Sequence, residues 1–244
     1  MKSRTAKNKI TLKLSFVALF AAIICIGCFL KIPLGPVPIV LQNALCILTG
    51  VILGSYLAGL PTALFLLAGL VGLPVYSGGT SGIAVWIGPT GGFLPGYLLG
   101  AILAGLIAGR PSVAEKKFCW SRVIRITLGI FAGMVILYVP GVLHFARWAE
   151  KAGRISDGQT AFAYSMMACV IPYIPGDLVK ILVAVPVAIK IRPVLAQYLY
   201  ENGSGGGAGL GGRKIDGGVK MADGGEAAGG VKTASGEALG GRDD

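Results

Sequence analysis

Leu14-Ser-Phe-Val-Ala-Leu-Phe-Ala-Ala-Ile-Ile-Cys-Ile-Gly-Cys-Phe-Leu30 opens an apolar run that continues to Gly109 and holds one charged side chain, Lys31. A soluble domain carries charge on about 25% of its residues, because its surface must be hydrated. Of the 244 residues here, 14% are charged and 54% hydrophobic, and the mean hydropathy is +0.75. No soluble core encloses a run of that length, so the chain reads as an all-α integral membrane protein with lipid as its solvent. A cytosolic enzyme, a secreted domain and a nucleic-acid binder are excluded on that ground.

Working outward, breakers divide the chain into six spans, at about 12–30, 39–53, 57–73, 93–108 and 123–142, with a sixth from Pro172 or Pro175 to about Ile191. An apolar lead-in from Phe162 precedes the last. The first two are separated by Lys31-Ile-Pro-Leu-Gly-Pro-Val-Pro38, whose prolines exclude regular helix. The link Gly54-Ser-Tyr56 is so short that the second and third spans must be antiparallel. The segment from Pro74 to Gly92 is apolar and uncharged, yet too rich in Gly and Pro to be a helix. Backbone of that kind near membrane depth needs protein or a cavity beside it, so the loop is expected to fold back over the helices.

Charge sets the orientation. Lys2, Arg4, Lys7, Lys9 and Lys13 lie at the N-terminus, five basic residues occupy the segment Arg110 to Arg125, and Lys190 and Arg192 lie at the end of the sixth span. Such clusters stay in the cytoplasm, which puts both termini inside and the two irregular loops outside, beside the start of the sixth span. The loops then cap a ligand pocket that faces outward. The outer segment from His144 to Gln159 mixes Arg147, Lys151 and Arg154 with Glu150 and Asp157, and reads as an amphipathic surface helix. Residues 203–244 hold 16 of the 39 glycines, no aromatic residue, and 5 basic against 6 acidic side chains. That composition buries too little apolar surface to offset the entropy of ordering. The chain thus divides into a membrane domain, 1–200, and a Gly-rich disordered tail, 201–244.

Asp177 and Lys180, in Pro175-Gly-Asp-Leu-Val-Lys180, are the only charges between Asp157 and Lys190. Each costs about 2.5–3.5 kcal/mol at the centre of a span, and intramembrane charges usually mark a substrate path. Their i,i+3 spacing puts them on one helical face. The bland reading is a self-neutralising pair, with Asp177 offsetting the positive end of the helix dipole; the two readings are compatible. In Ser77-Gly-Gly-Thr-Ser-Gly82 and Gly88-Pro-Thr-Gly-Gly92 the glycines resemble a phosphate cradle, but no Lys-Ser/Thr follows and the P-loop pattern fails. These loops suit a tight lid of backbone amides and small hydroxyls. Tyr76 and Trp86 supply either aromatic walls or interfacial anchors. Gln42 and Asn43, the only amides of the second span, reach either a ligand or a neighbouring helix.

Ala18 and Ala22 form a small-residue pair that allows close helix approach in lipid. Cys25-Ile-Gly-Cys28 invites a redox or metal reading, but two thiols are an incomplete zinc site, and small buried hydrophobes are the plainer use. The basic N-terminus and the apolar run after it also fit a signal peptide; with further spans following at once, a retained first helix is the better reading. No motif for hydrolysis, ATP binding, metal catalysis or a resident cofactor is found.

Ile32-Pro-Leu-Gly-Pro-Val-Pro-Ile39, Leu70-Val-Gly-Leu-Pro-Val75, Gly88-Pro-Thr-Gly-Gly92 and Pro175-Gly-Asp-Leu-Val-Lys180 together resemble the BioY family, the biotin-binding S components of energy-coupling-factor transporters. The resemblance covers about residues 10–195. It implies a six-helix protein of the cell membrane that takes biotin from outside and works with a transmembrane T component and cytoplasmic ATPases. It also implies that Asp177 and Lys180 contact biotin and that Ala18 and Ala22 meet the T component. Some members place an Asn and an Arg from the third loop and the following helix in the pocket; here Thr80 lies near the first position, and no arginine precedes Arg110. The expected ligand-binding set is therefore Asp177, Lys180, Thr80, Tyr76, Trp86 and Gln42. The competing readings are a stand-alone porter for another small vitamin or metabolite, with Asp177 as a proton-coupling carboxylate, and a membrane redox enzyme using Cys25 and Cys28.

Overall fold

Apolar side chains on several faces, with glycine where helices cross, build a stack of helices here. In the computed structural model, residues 2–32, 39–55, 57–116, 119–155 and 158–201 are described. The proline-rich link at 33–38 and the glycine-rich tail from 202 lie outside the described residues, as do Tyr56 and Asp157. Eight α-helices occur among the described residues: α1 Lys2–Ile26, α2 Gln42–Leu53, α3 Leu60–Leu70, α4 Ile83–Ile87, α5 Phe93–Ala108, α6 Trp120–Lys151, α7 Ala161–Cys169 and α8 Ile174–Ala196. The one ladder among the described residues is a two-residue antiparallel pair, β1 Lys31–Ile32 against β2 Ile39–Val40, with Lys31 opposite Val40.

Among the described residues, Ile10–Phe29 and Trp120–Lys151 are long and apolar enough to cross a membrane. Helices α2, α3 and α5 are apolar but shorter. At 1.5 Å per residue, α2 rises only about 18 Å against a hydrocarbon core of about 30 Å. Three sequence expectations change. The fifth span does not stop near Val142: α6 runs on to Lys151, so the first half of the mixed-charge stretch, His144 to Lys151, is its last turns and not a separate surface helix. Phe145 is fully buried there and stacks on Tyr164 of α7 at 6.0 Å, which keeps those turns on the protein. The lead-in from Phe162 is its own helix, α7, capped by the Thr160 hydroxyl accepting from the Ala163 N–H at 3.2 Å. The loop from Pro74 to Gly92 also contains one short helix, α4.

Glycine sets the close crossing of α5 and α6. A Cβ on Gly100 of α5 would stand 2.6 Å from the Gly133 carbonyl oxygen of α6, and one on Gly133 would stand 2.8 Å from that of Gly100. The two backbones therefore touch, as small residues permit in a solvent that offers no hydrophobic drive between helices. At the opposite end from the irregular loop, Arg192 of α8 is completely buried. It donates to the Val51 carbonyl at the end of α2, to those of Ala108 (3.0 Å) and Gly109 (3.3 Å) at the end of α5, and to Glu115 at 2.9 and 3.1 Å. The last carbonyls of a helix lack intrahelical donors; one guanidinium serves two helix ends here. Read from sequence as a topology marker, Arg192 is also a structural clamp.

Candidate functional site

Helix α8 opens with Pro175 in its first turn, where a missing N–H costs nothing, and Asp177 follows in that turn, favoured by the dipole. Asp177 is 7% exposed. Its Oδ1 accepts from Lys180 Nζ at 3.0 Å, and its Oδ2 accepts from the Tyr138 hydroxyl of α6. Lys180 Nζ also donates to Asn43 Oδ1 of α2 at 3.1 Å. Three helices thus meet in one polar chain, Tyr138–Asp177–Lys180–Asn43, surrounded by apolar packing. The i,i+3 pair read from the sequence is formed, and it is not alone.

Beside this chain lies a cavity of about 50 Å³. Its polar lining comes from Gln42, Asn43, Ser77, Thr90 and Lys180, and its aromatic wall from Tyr76, Phe93, Tyr97, Tyr138 and Tyr173. Phe93 meets Tyr138 edge-on at 6.2 Å. Ser77 Oγ is buried and has no hydrogen-bond partner among the described residues. Asp177 does not line this cavity: Lys180 and Tyr138 stand at the wall and the carboxylate lies behind them. On its other side Asp177 borders an apolar groove of about 550 Å³ between α6, α7 and α8, which Tyr138 borders as well.

The irregular loop is fastened over the cavity by side chains. Gln42 Nε2 donates to the Val75 carbonyl at 2.8 Å and to that of Ile24 at 3.1 Å, joining the loop to α1 and α2. The Tyr76 hydroxyl donates to the Leu66 carbonyl at 2.6 Å and accepts from Trp86 Nε1 at 3.0 Å. Burial pushes the Tyr76 phenol up, against a smaller pull from the Trp86 bond, so it stays protonated at neutral pH. Gly78 and Gly79, both at φ 76°, close the turn that brings Thr80 back to bridge Tyr76; side chains rarely tolerate that conformation. On the α6 side, His144 Nε2 and the Gly88 carbonyl are 2.9 Å apart.

Of the residues singled out from sequence, Lys180, Gln42 and Tyr76 line the cavity, and Asp177 stands directly behind it. Trp86 does not line it but braces Tyr76. Thr80 is exposed, donates to the Ser77 carbonyl at 3.2 Å, and borders a separate outer depression. Ala18 and Ala22 are exposed along α1. Cys25 is half-buried and Cys28 buried, both as free thiols, and no group of three or more metal-binding side chains occurs among the described residues. Sequence reading passed over Tyr138, Tyr97 and Tyr173. The usable signal was a phenol at the centre of an apolar span, since a buried Tyr hydroxyl needs a partner.

A stack of membrane-type helices that encloses a carboxylate–ammonium pair beside an aromatic cavity is the architecture of a membrane protein that binds a small polar ligand. Residues 1–197 match the BioY family, and the chain belongs to it. It is 38% identical over 192 residues to the biotin transporter BioY of Rhodobacter capsulatus, covering 78% of this chain and 97% of that one. To the biotin transporter BioY of Thermotoga maritima it is 33% identical over 174 residues, covering 71% and 92%. A crystal structure of the S component for biotin from an ECF-type ABC transporter superposes with a TM-score of 0.62 at 27% identity, covering 76% of this chain and 93% of that one.

Proposed function

We propose that this chain is the biotin-binding S component of an energy-coupling-factor transporter, a binding and transport subunit and not an enzyme. Family membership and the Asp177–Lys180 pair beside an aromatic cavity support the reading. In this account residues 1–200 form six membrane spans in the cell membrane, with both termini cytoplasmic and the irregular loops outside. Residues 201–244 are a separate tail. The domain takes biotin from outside and passes it inward with a T component and cytoplasmic ATPases, Ala18 and Ala22 forming the docking face of α1.

Biotin's chemistry matches the site. Its ureido ring carries two N–H donors and a carbonyl, its thiophane ring is apolar, and its valerate ends in a carboxylate. Asp177 accepts from a ureido N–H, Lys180 donates to the ureido carbonyl or the carboxylate, and the tyrosines and Phe93 enclose the bicycle. Ser77, with its uncommitted hydroxyl, and Asn43 add polar contacts, while Gln42, Tyr76, Trp86 and Thr80 shape the loop over the site. Small-molecule sites usually exceed about 300 Å³, so the cavity of about 50 Å³ must widen when biotin enters.

The porter reading is weaker, because the Asp177 carboxylate is already engaged by Lys180 and Tyr138. Uptake in vesicles separates the two. Biotin uptake that requires the T component and ATP supports the S-component reading; uptake that survives ATP depletion and collapses with the proton gradient overturns it. Full uptake by a Cys25→Ser/Cys28→Ser variant removes the redox reading.

A further inference from the structure

Both oxygens of Asp177 are occupied by the protein itself, Oδ1 by Lys180 and Oδ2 by Tyr138. A carboxylate this deeply buried cannot stand bare, because an unsatisfied charged group loses its hydration with nothing in return. The two donors are not equivalent. Lys180 is held by Asn43 as well as by Asp177, and its withdrawal would separate a buried ion pair. The Tyr138 hydroxyl donates to that carboxylate, and Tyr138 itself lines the cavity. Tyr138 and Asp177 also border the apolar groove of about 550 Å³.

We infer that Tyr138 sets the affinity of the site as a competing donor: its hydroxyl holds the place at Asp177 Oδ2 that a ligand N–H takes on binding. This rests on the biotin-binding reading and deepens it. The free site is self-satisfied, so a molecule gains entry to Asp177 only by bringing an N–H donor as good as the phenol it displaces. A ligand with the same carboxylate tail and a sulfur ring but no N–H leaves Tyr138 where it is. The phenol therefore lowers the affinity for an N–H donor, which must displace it, and leaves that for a ligand without one unchanged.

The test is calorimetric titration of the purified full chain with biotin and with lipoate, which has a carboxylate tail and a sulfur ring without a ureido group. Tyr138→Phe keeps the ring against Phe93 and removes only the competing hydroxyl. Biotin binding is expected to tighten about tenfold, equivalent to ~1.4 kcal/mol, with lipoate still excluded. The gain should vanish when Asp177→Asn is added, since the two residues act through one bond. A Tyr138→Phe protein that binds biotin equally or more weakly overturns the inference, as does a gain that persists without Asp177. Should the variant not fold, 3-fluorotyrosine at position 138 gives a second reading: its ¹⁹F resonance must shift when biotin binds, and an unmoved resonance overturns the inference. Failure of the wild-type chain to bind biotin refutes the proposed function itself; failure of these comparisons in a biotin-binding wild type refutes only the role of Tyr138.

Discussion

Replacing Asp177 with Asn removes one charge and almost no volume, and the structure separates its two consequences. Oδ1 and Oδ2 now accept from Lys180 and Tyr138; an amide retains one acceptor and turns the other position into a donor. Biotin then meets a neutral acceptor in place of a carboxylate. A hydrogen bond to a charged group contributes about 1.5–3 kcal/mol, so Kd should rise at least tenfold, as ~1.4 kcal/mol corresponds to a factor of ten. Stability should fall as well. The Lys180 ammonium, whose side chain is 10% exposed, would lose its counter-charge and keep only neutral acceptors among these partners, and breaking a buried pair on one side costs about 3–5 kcal/mol. Removing the ammonium too, as Asp177→Asn/Lys180→Met, should restore much of that stability without restoring affinity. The assays are calorimetric titration with biotin and thermal unfolding in the same detergent. An Asp177→Asn protein that is folded and binds biotin with unchanged Kd would refute the reasoning, because no other carboxylate among the described residues lies at the site.

Three further perturbations act elsewhere. Ala18→Trp/Ala22→Trp enlarges an exposed face of α1; biotin binding should persist while ATP-dependent uptake in a reconstituted complex with the T component falls. Gly133→Leu forces a side chain against the Gly100 carbonyl; overpacking of about 1–3 kcal/mol should lower Tm by several degrees, whereas Leu143→Ala, on an exposed face, should change it little. Arg192→Met leaves Glu115 and the ends of α2 and α5 without their guanidinium, so Tm should drop sharply, and Glu115→Leu added to it should recover part of the loss.

Hydropathy made the helical class and most helix positions legible, because a span advertises itself by lacking charge. Asp177 and Lys180 stood out for the same reason: two charges in an apolar stretch are costly. What stayed hidden were groups whose importance comes from a distant partner. Tyr138 looks like any aromatic residue of a span until α8 brings Asp177 to its hydroxyl. Arg192 looks like a cytoplasmic marker until the ends of α2 and α5 converge on it. The length of α6 was underestimated because charges at Arg147, Glu150 and Lys151 suggest a membrane surface, whereas burial of Phe145 and Ala149 carries the helix through them. Thr80 was chosen by its position in a motif, yet the tight turn at Gly78 and Gly79 directs it outward.

The most direct test is titration of the purified wild-type chain, freed of bound ligand, with biotin in detergent or nanodiscs. One biotin per chain is predicted, with binding weakened at least tenfold by Asp177→Asn and lipoate unable to compete. A folded wild-type protein that gives no binding heat with biotin and no biotin-dependent rise in Tm would contradict the account at its centre.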